Sequence, residues 1–296
     1  MKSNVAVLFC TVLSTLAAFG TPNGIADGSV TRPIIIPHRG MWDEKVPQNT
    51  VEAIRRAYEA GAVCVETDFH HTRHGQMVCI HTRKDLERYT GCRKTVAELT
   101  PQDIKSLNLG EKQGLPRVYR IPLLDEVLAV VPKDRVLQAE IKGYSKEYPD
   151  LFDAAVKKAG LSESNIVVSA FSFDALKDFK ARYPKYRMIH LVKLPKGKAF
   201  SVQDWIGKYK KANIDVFCPN CISTVGVMTR ADADAVRASG LDFRVYAVKS
   251  REAFRQAATL GASGFTCDFW DKAFKWADEL GMDYRPVAIR KSPVHK

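Results

Sequence analysis

Short β-branched runs alternate with helix-patterned stretches eight times between residues 34 and 280, and no other feature limits the possible folds as strongly. Each gap between runs is long enough for a crossover helix and too long for a hairpin, so successive runs become parallel neighbours in one sheet. The predicted strands are 34–38, 63–68, 136–142, 166–170, 187–192, 215–218, 243–248 and 264–267. The predicted helices are 51–60, 123–131, 149–159, 173–182, 202–212, 230–239, 251–260 and 272–280. Eight strand–helix pairs match an α/β fold of the (β/α)8 TIM-barrel type. A doubly wound open sheet is the alternative, but it has no reason to stop at eight.

One further strand, 77–81, follows residue 68 through the polar stretch Thr72-Arg73-His74-Gly75-Gln76, too short for a helix. It therefore forms an antiparallel hairpin on the second strand. A turn centred between His74 and Gly75 places His81 opposite Asp68 and Thr82 opposite Thr67, so His81 shares the face of Asp68. Residues 82–121 become a small insertion after this hairpin. No low-complexity linker divides the chain, and 33–284 reads as one domain.

The chain opens with Lys2, an apolar run from Val5 to Phe19 and the small-x-small ending Ala18-Phe19-Gly20. Residues 1–20 are expected to be a secretory signal, with 21–32 as a lead-in; an uncleaved anchor is the alternative. Phe9 before Cys10 argues against a lipoprotein signal. The expected location is exported, periplasmic or extracellular. The formal charge of +12 favours anionic partners. Acids are interspersed with the bases everywhere except in the basic tail 285–296. No aromatic-interleaved basic motif is present, so no nucleic-acid partner is expected. A small phosphate-bearing substrate fits this charge, and transient membrane-surface contact is compatible with it. Cys64, Cys79, Cys218 and Cys267 fall in apolar runs, where a thiol packs as a small hydrophobe. Cys218-Pro219-Asn220-Cys221 reads as a structural disulfide or as two free thiols rather than as a redox motif.

In such a barrel the chemistry lies at the C-terminal ends of the strands. Those ends carry His38-Arg39, Glu66-Thr67-Asp68, the hairpin's His81 and Glu140-Ile141-Lys142. Alternation along a strand puts Glu66 with Asp68 and Glu140 with Lys142. Three converging carboxylates without cysteine suit a hard cation such as Mg²⁺ or Ca²⁺. Arg39 and Lys142 suit phosphate oxygens, and two histidines can serve as general acid and base. The reaction class this implies is metal-assisted phosphodiester hydrolysis. His70 is expected at the mouth, His71 and His74 in the loop, and His190 in its strand. Trp205, Trp270 and Trp276 fit helix packing, with Trp270 also able to line the pocket beside Trp42 and Phe171. Asn49 and Thr50 read as caps of the helix that follows.

The ordered set HRG at 38–40, PQNT at 47–50, ExD at 66–68, His81 ending an apolar strand and EIK at 140–142 resembles the glycerophosphodiester phosphodiesterases. The stretches AELTPQDIKSLNLG, IPLLDEVL, SAFSF and GFTCDF are similar to later parts of that family, so the resemblance runs from residue 38 to about residue 268. It implies a TIM barrel that hydrolyses glycerophosphodiesters to glycerol 3-phosphate and an alcohol. It further implies His38 and His81 as the catalytic pair, with Glu66, Asp68 and Glu140 as ligands of Mg²⁺ or Ca²⁺. Arg39, Lys142, Phe171 and Tyr246 become substrate contacts. Gln48 stands where the family usually has Glu, Thr82 where it usually has Asp, and Tyr246 and Lys249 lie in a divergent run. A lysophospholipase D-type enzyme and a catalytically silent phosphate-binding barrel are the other readings. The alcohol, the cation and the oligomeric state stay open.

Overall fold

The computed structural model describes residues 33–194, 201–221 and 227–282. The expected signal, lead-in and basic tail lie outside these residues. Along the chain come β1 (Ile34–Pro37), α1 (Val51–Glu59), β2 (Cys64–His71), β3 (Met77–Cys79), α2 (Arg83–Thr90), α3 (Pro101–Ser106) and α4 (Leu124–Leu128). Then follow β4 (Val136–Gly143), α5 (Tyr148–Lys158), β5 (Ile166–Ala170), α6 (Phe173–Arg182), β6 (Arg187–Val192), α7 (Val202–Ala212) and β7 (Val216–Pro219). The last elements are α8 (Arg230–Ala238), β8 (Asp242–Val248), α9 (Arg251–Thr259), β9 (Gly264–Cys267) and α10 (Trp270–Glu279).

All strands but β3 run parallel, in the order β2, β4, β5, β6, β7, β8, β9, β1. A parallel bridge between His38 and Glu66 closes the ring. This is the (β/α)8 barrel that the alternation predicts, with β3 paired antiparallel to β2. Every second residue of each strand points inward. In the lower barrel those positions hold Ile34, Ile36, Cys64, Val136, Val167, Ile189 and Val216, which form one buried cluster. The same parity continued upward gives His38, Glu66, Asp68, Glu140 and Lys142. The interior thus changes from apolar to charged along single strands. The opposite parity meets the helices: Phe69 on β2, for example, sets its ring edge-to-face on Phe152 of α5, 6.4 Å between centroids.

The insertion after β3 has its own apolar cluster. Leu86, Tyr89, Leu99, Ile104 and Ile121 pack with Val78, Ile80 and Ala53 of the barrel. All six cysteines in the described residues are free, so Cys218 and Cys221 are two thiols.

Three local readings need correction. The hairpin pairs Phe69 with Cys79, His70 with Val78 and His71 with Met77, one residue out of the expected register. Gly75 adopts φ 75°, and the Thr72 amide donates to the Gln76 carbonyl at 2.8 Å, so the turn has three residues between its closing pair rather than two. His71 consequently ends a strand instead of sitting in the loop. Of the two expected caps only Thr50 serves, its hydroxyl accepting from the Ala53 amide at 3.2 Å. Asn49 is drawn inward at φ 57°, for a reason that lies in the site.

Candidate active site

The three carboxylates meet because of strand register. Asp68 on β2 stands directly beside Glu140 on β4, and Glu66 lies one inward step below Asp68. Each offers a ligand oxygen, and these oxygens lie within 4.8 Å of one another. All three side chains are buried. Two cations answer them: Lys142 Nζ lies 2.5 Å from Glu140 and 3.3 Å from Asp68, and Arg39 Nε lies 3.2 Å from Asp68.

The charges do not balance, since three buried carboxylates face two cations. Burial, then repulsion from Asp68 and Glu140, pushes Glu66 well above the usual carboxylate range. Burial and Asp68 push Glu140 up to about 8. Asp68 goes the other way: against the cost of burial, Lys142 and Arg39 hold it below its ordinary value. Glu66 Oε1 is buried with no hydrogen-bond partner. Uncompensated negative charge and an orphaned carboxylate oxygen, in an all-oxygen donor set, fit a hard divalent cation.

The loop after β1 is built around this cluster. The Arg39 amide donates to Glu66 Oε2 at 3.0 Å, with Arg39 itself at φ 60°. A side chain at Gly40 (φ 81°) would place Cβ 2.6 Å from the Ala53 backbone on α1, so the third letter of HRG has to be glycine. Arg39 also donates to Gln48 Oε1 at 3.1 Å, which ties HRG to PQNT. Asn49 Nδ2 donates to Asp68 Oδ2 at 2.8 Å, and its Oδ1 accepts from the Thr67 hydroxyl at 2.7 Å and from the Asp68 amide at 3.2 Å. Asn49 is therefore a clamp on the carboxylate. Its role as a cap was the natural reading because the partner is 19 residues away.

Each expected histidine is held at Nδ1 by an aspartate. His38 Nδ1 bonds Asp268, and Trp42 Nε1 donates to the His38 carbonyl at 3.1 Å. Burial outweighs Asp268 and lowers the pKa of His38, while Asp268, despite burial, is kept low by its bond to His38. An ionised carboxylate only accepts, so the proton sits on Nδ1, and Nε2, 3.7 Å from Glu66, keeps its lone pair toward the carboxylates. His81 Nδ1 bonds Asp85 at 2.8 Å, and Asp85 also accepts from the Thr82 hydroxyl at 2.6 Å. Although the hairpin register is shifted, the chain leaves the ladder after Cys79 and turns into α2 at its Thr82 cap. This returns His81 to the neighbourhood of Asp68, on which it acts electrostatically. His70 Nε2 bonds the His81 carbonyl at 3.1 Å, so the expected mouth residue braces the loop.

Phe171, 44% exposed, sets its edge on Tyr246 at 5.5 Å and lies 5.6 Å from Lys142 Nζ. These two rings form a wall beside the charged cluster. Sequence reasoning missed Asp268 and Asp85. The first lay inside a quoted motif without a role, and the second stands four residues after His81, a spacing that only a helix turns into a contact. His190 is a core residue, bonded to the Tyr209 hydroxyl at 2.6 Å.

The model of the glycerophosphoryl diester phosphodiesterase family matches residues 38–272. A glycerophosphodiester phosphodiesterase of Caldanaerobacter subterraneus subsp. tengcongensis is 34% identical over 161 residues, which is 53% of this chain and 65% of that relative. One from Bacillus altitudinis is 28% identical over 254 residues, 83% of this chain and 98% of that protein. A solved Oleispira antarctica phosphodiesterase, in complex with the product sn-glycerol-3-phosphate, superposes with a TM-score of 0.69. It has 19% identity and covers 83% of this chain and 97% of its own.

Proposed function

The chain belongs to the glycerophosphoryl diester phosphodiesterase family, and from that premise we propose that it hydrolyses glycerophosphodiesters to glycerol 3-phosphate and an alcohol at the carboxylate–histidine site. The observation that carries this reading is the pairing of an unbalanced buried carboxylate triad with two histidines, each aspartate-held at Nδ1. Glu66, Asp68 and Glu140 would hold a divalent cation, Mg²⁺ or Ca²⁺, which would polarise the phosphoryl oxygens. Arg39 and Lys142 bring positive charge to the same end of the barrel and orient the phosphate. Neutral His38 takes or returns a proton at Nε2, and His81 does the complementary transfer, so one serves the attacking water and the other the leaving alcohol. Phe171 and Tyr246 flank the bound diester. With residues 1–20 acting as a secretory signal, the enzyme works outside the cytoplasm on small soluble diesters, with transient membrane contact.

The test is hydrolysis of glycerophosphocholine with and without EDTA, repeated for His38→Ala and Glu66→Ala. Loss of turnover in EDTA and in both variants is expected. Turnover that ignores EDTA, or full activity in both variants, would overturn the mechanism. A lysophospholipase D-type activity is the second reading, favoured by Phe171 and Phe269, which stand 44% and 39% exposed just beyond the C-terminal ends of β5 and β9. Product analysis with lysophosphatidylcholine separates the two. Mass spectrometry of the exported protein's N-terminus tests the signal.

A further inference from the structure

Among the described residues the exposed large hydrophobic side chains are Val118, Leu151, Phe171 and Phe269, between 39% and 53% exposed. All four lie at the end of the barrel where the carboxylates open. Phe171 and Phe269 stand just beyond β5 and β9, and Leu151 is in the first turn of α5, which follows β4. Val118 lines a cavity of about 190 Å³ with Thr50 and Val51 at the start of α1, which follows β1. Exposed apolar residues scattered over a surface need no explanation, but their restriction to one end does. The cavity beside Val118 is basic: Arg55, Arg117 and Arg120 line it together with Glu52 and Glu126. Arg55 and Arg117 share one oxygen, Glu52 Oε2, at 3.2 and 3.5 Å. Glu126 accepts from the Leu123 amide at 2.8 Å. Arg120 donates to the Ser106 carbonyl at 2.7 Å, which fixes its place and leaves its charge. Three guanidinium groups thus meet two carboxylates, and Val118 lies between two of those arginines in the chain.

We propose that this end of the barrel docks on an anionic lipid surface, with Val118 inserting among the headgroups and the arginine-lined cavity receiving a lipid phosphate. This docking rests on the membrane contact proposed above and gives it a face and a lipid charge. An exposed aliphatic side chain among arginines matches a surface that is apolar within and anionic at its boundary. Planar guanidinium groups pair with phosphate through two parallel hydrogen bonds, which a cavity lined by three of them can offer. A second copy of this chain fits less well, because a two-fold contact would set these arginines against themselves. Docked in this way, the barrel turns its mouth, with Phe171 and Phe269, toward the lipid.

Two measurements test the face. In the first, the protein is sedimented with vesicles of phosphatidylcholine alone and of phosphatidylcholine with about one-third phosphatidylglycerol. Binding to the anionic vesicles, lost as salt is raised, is expected. Arg55→Gln and Arg117→Gln should each weaken it about five-fold, and Val118→Asp roughly ten-fold. Lys210→Gln with Lys211→Gln, in the last turn of α7 at the opposite end of the barrel, should leave it unchanged. Equal binding to both vesicles would keep a membrane contact and overturn the anionic docking, and no binding to either would overturn both. An equal loss in the lysine variant would trace binding to net charge, and binding indifferent to the arginine and valine changes would place it elsewhere; either result overturns the face. The second measurement is sedimentation velocity without lipid. An oligomeric state that Val118→Asp leaves unchanged is expected, whereas a dimer that it dissociates would give the face to a second copy and overturn the docking. Turnover of soluble glycerophosphocholine is expected to survive all these substitutions. Its absence in the wild type would overturn the phosphodiesterase reading and leave the vesicle result to judge the face.

Discussion

The barrel has a buried charge cluster at each end, and the two behave oppositely. At the lower end Arg187 Nη2 and Arg244 Nε lie 3.0 and 2.8 Å from Asp242 Oδ2, and the Ser263 hydroxyl donates to its other oxygen. Gly264 makes room for this arrangement, since a Cβ there would lie 2.9 Å from Arg244 Cδ. Burial opposes the charge of Asp242, but Arg244 and Arg187 hold its carboxyl below the usual range. At the upper end Glu66 and Glu140 are pushed above that range by burial and then by repulsion from Asp68. The lower carboxylate is kept ionised by the protein's own cations. At the upper end three carboxylates face two cations, Lys142 and Arg39, and one negative charge is left over. Burial of charge alone does not mark a site; burial without internal compensation does.

Removing charge from each end should therefore separate function from stability. The largest effect is expected at the top, where His38→Ala lowers kcat/KM roughly 10²- to 10⁴-fold in a steady-state assay. Glu66→Gln is expected to abolish metal-supported turnover while the melting temperature of the EDTA-treated protein holds or rises. A melting loss there as large as at the lower end would break the comparison. At the bottom, Asp242→Asn strands two buried guanidinium groups and is expected to cost about 3 to 5 kcal/mol in urea unfolding, with activity per folded molecule kept.

A group between these ends shows burial acting with a like charge, Lys208, in place of an ion pair. His190 is pulled down to about 4 by burial. Its folded value lies below the ordinary 6.5, so the unfolded chain takes up the proton first. The stability it permits is complete above pH 6.5 and is lost as the pH falls toward 4. The loss is about 3 kcal/mol across that window. Unfolding curves of wild type and His190→Gln should converge by this amount on acidification; parallel pH profiles would refute the assignment. The smallest effect is expected for Gln48→Glu, which strengthens the hold on Arg39 and draws it from Asp68. A change in kcat/KM of about three-fold or less is expected.

The fold was legible because its signal is repeated. Eight alternations outvote any one misplaced boundary, and the carboxylates were legible because strand parity carries a side chain to a predictable face. The hairpin register was not, since it depends on whether Gly75 takes a left-handed φ, and one such angle shifts every pair. Asn49 looked like a cap because capping is a local habit of asparagine, whereas its clamp on Asp68 exists only once β2 lies beside the loop. Asp268 needed closure of the ring, which sets the end of β9 against the end of β1.

What the amino-acid order determined by itself was the barrel, the inward column that turns from apolar to charged, and the identity of the residues facing its mouth. These follow from periodicity, which is a property of neighbours along the chain. What only the tertiary structure decided was which aspartate holds which histidine and which carboxylate oxygens are left without a hydrogen-bond partner. Those are matters of distance between residues as many as 230 positions apart, and the chain specifies them only through closure of the barrel.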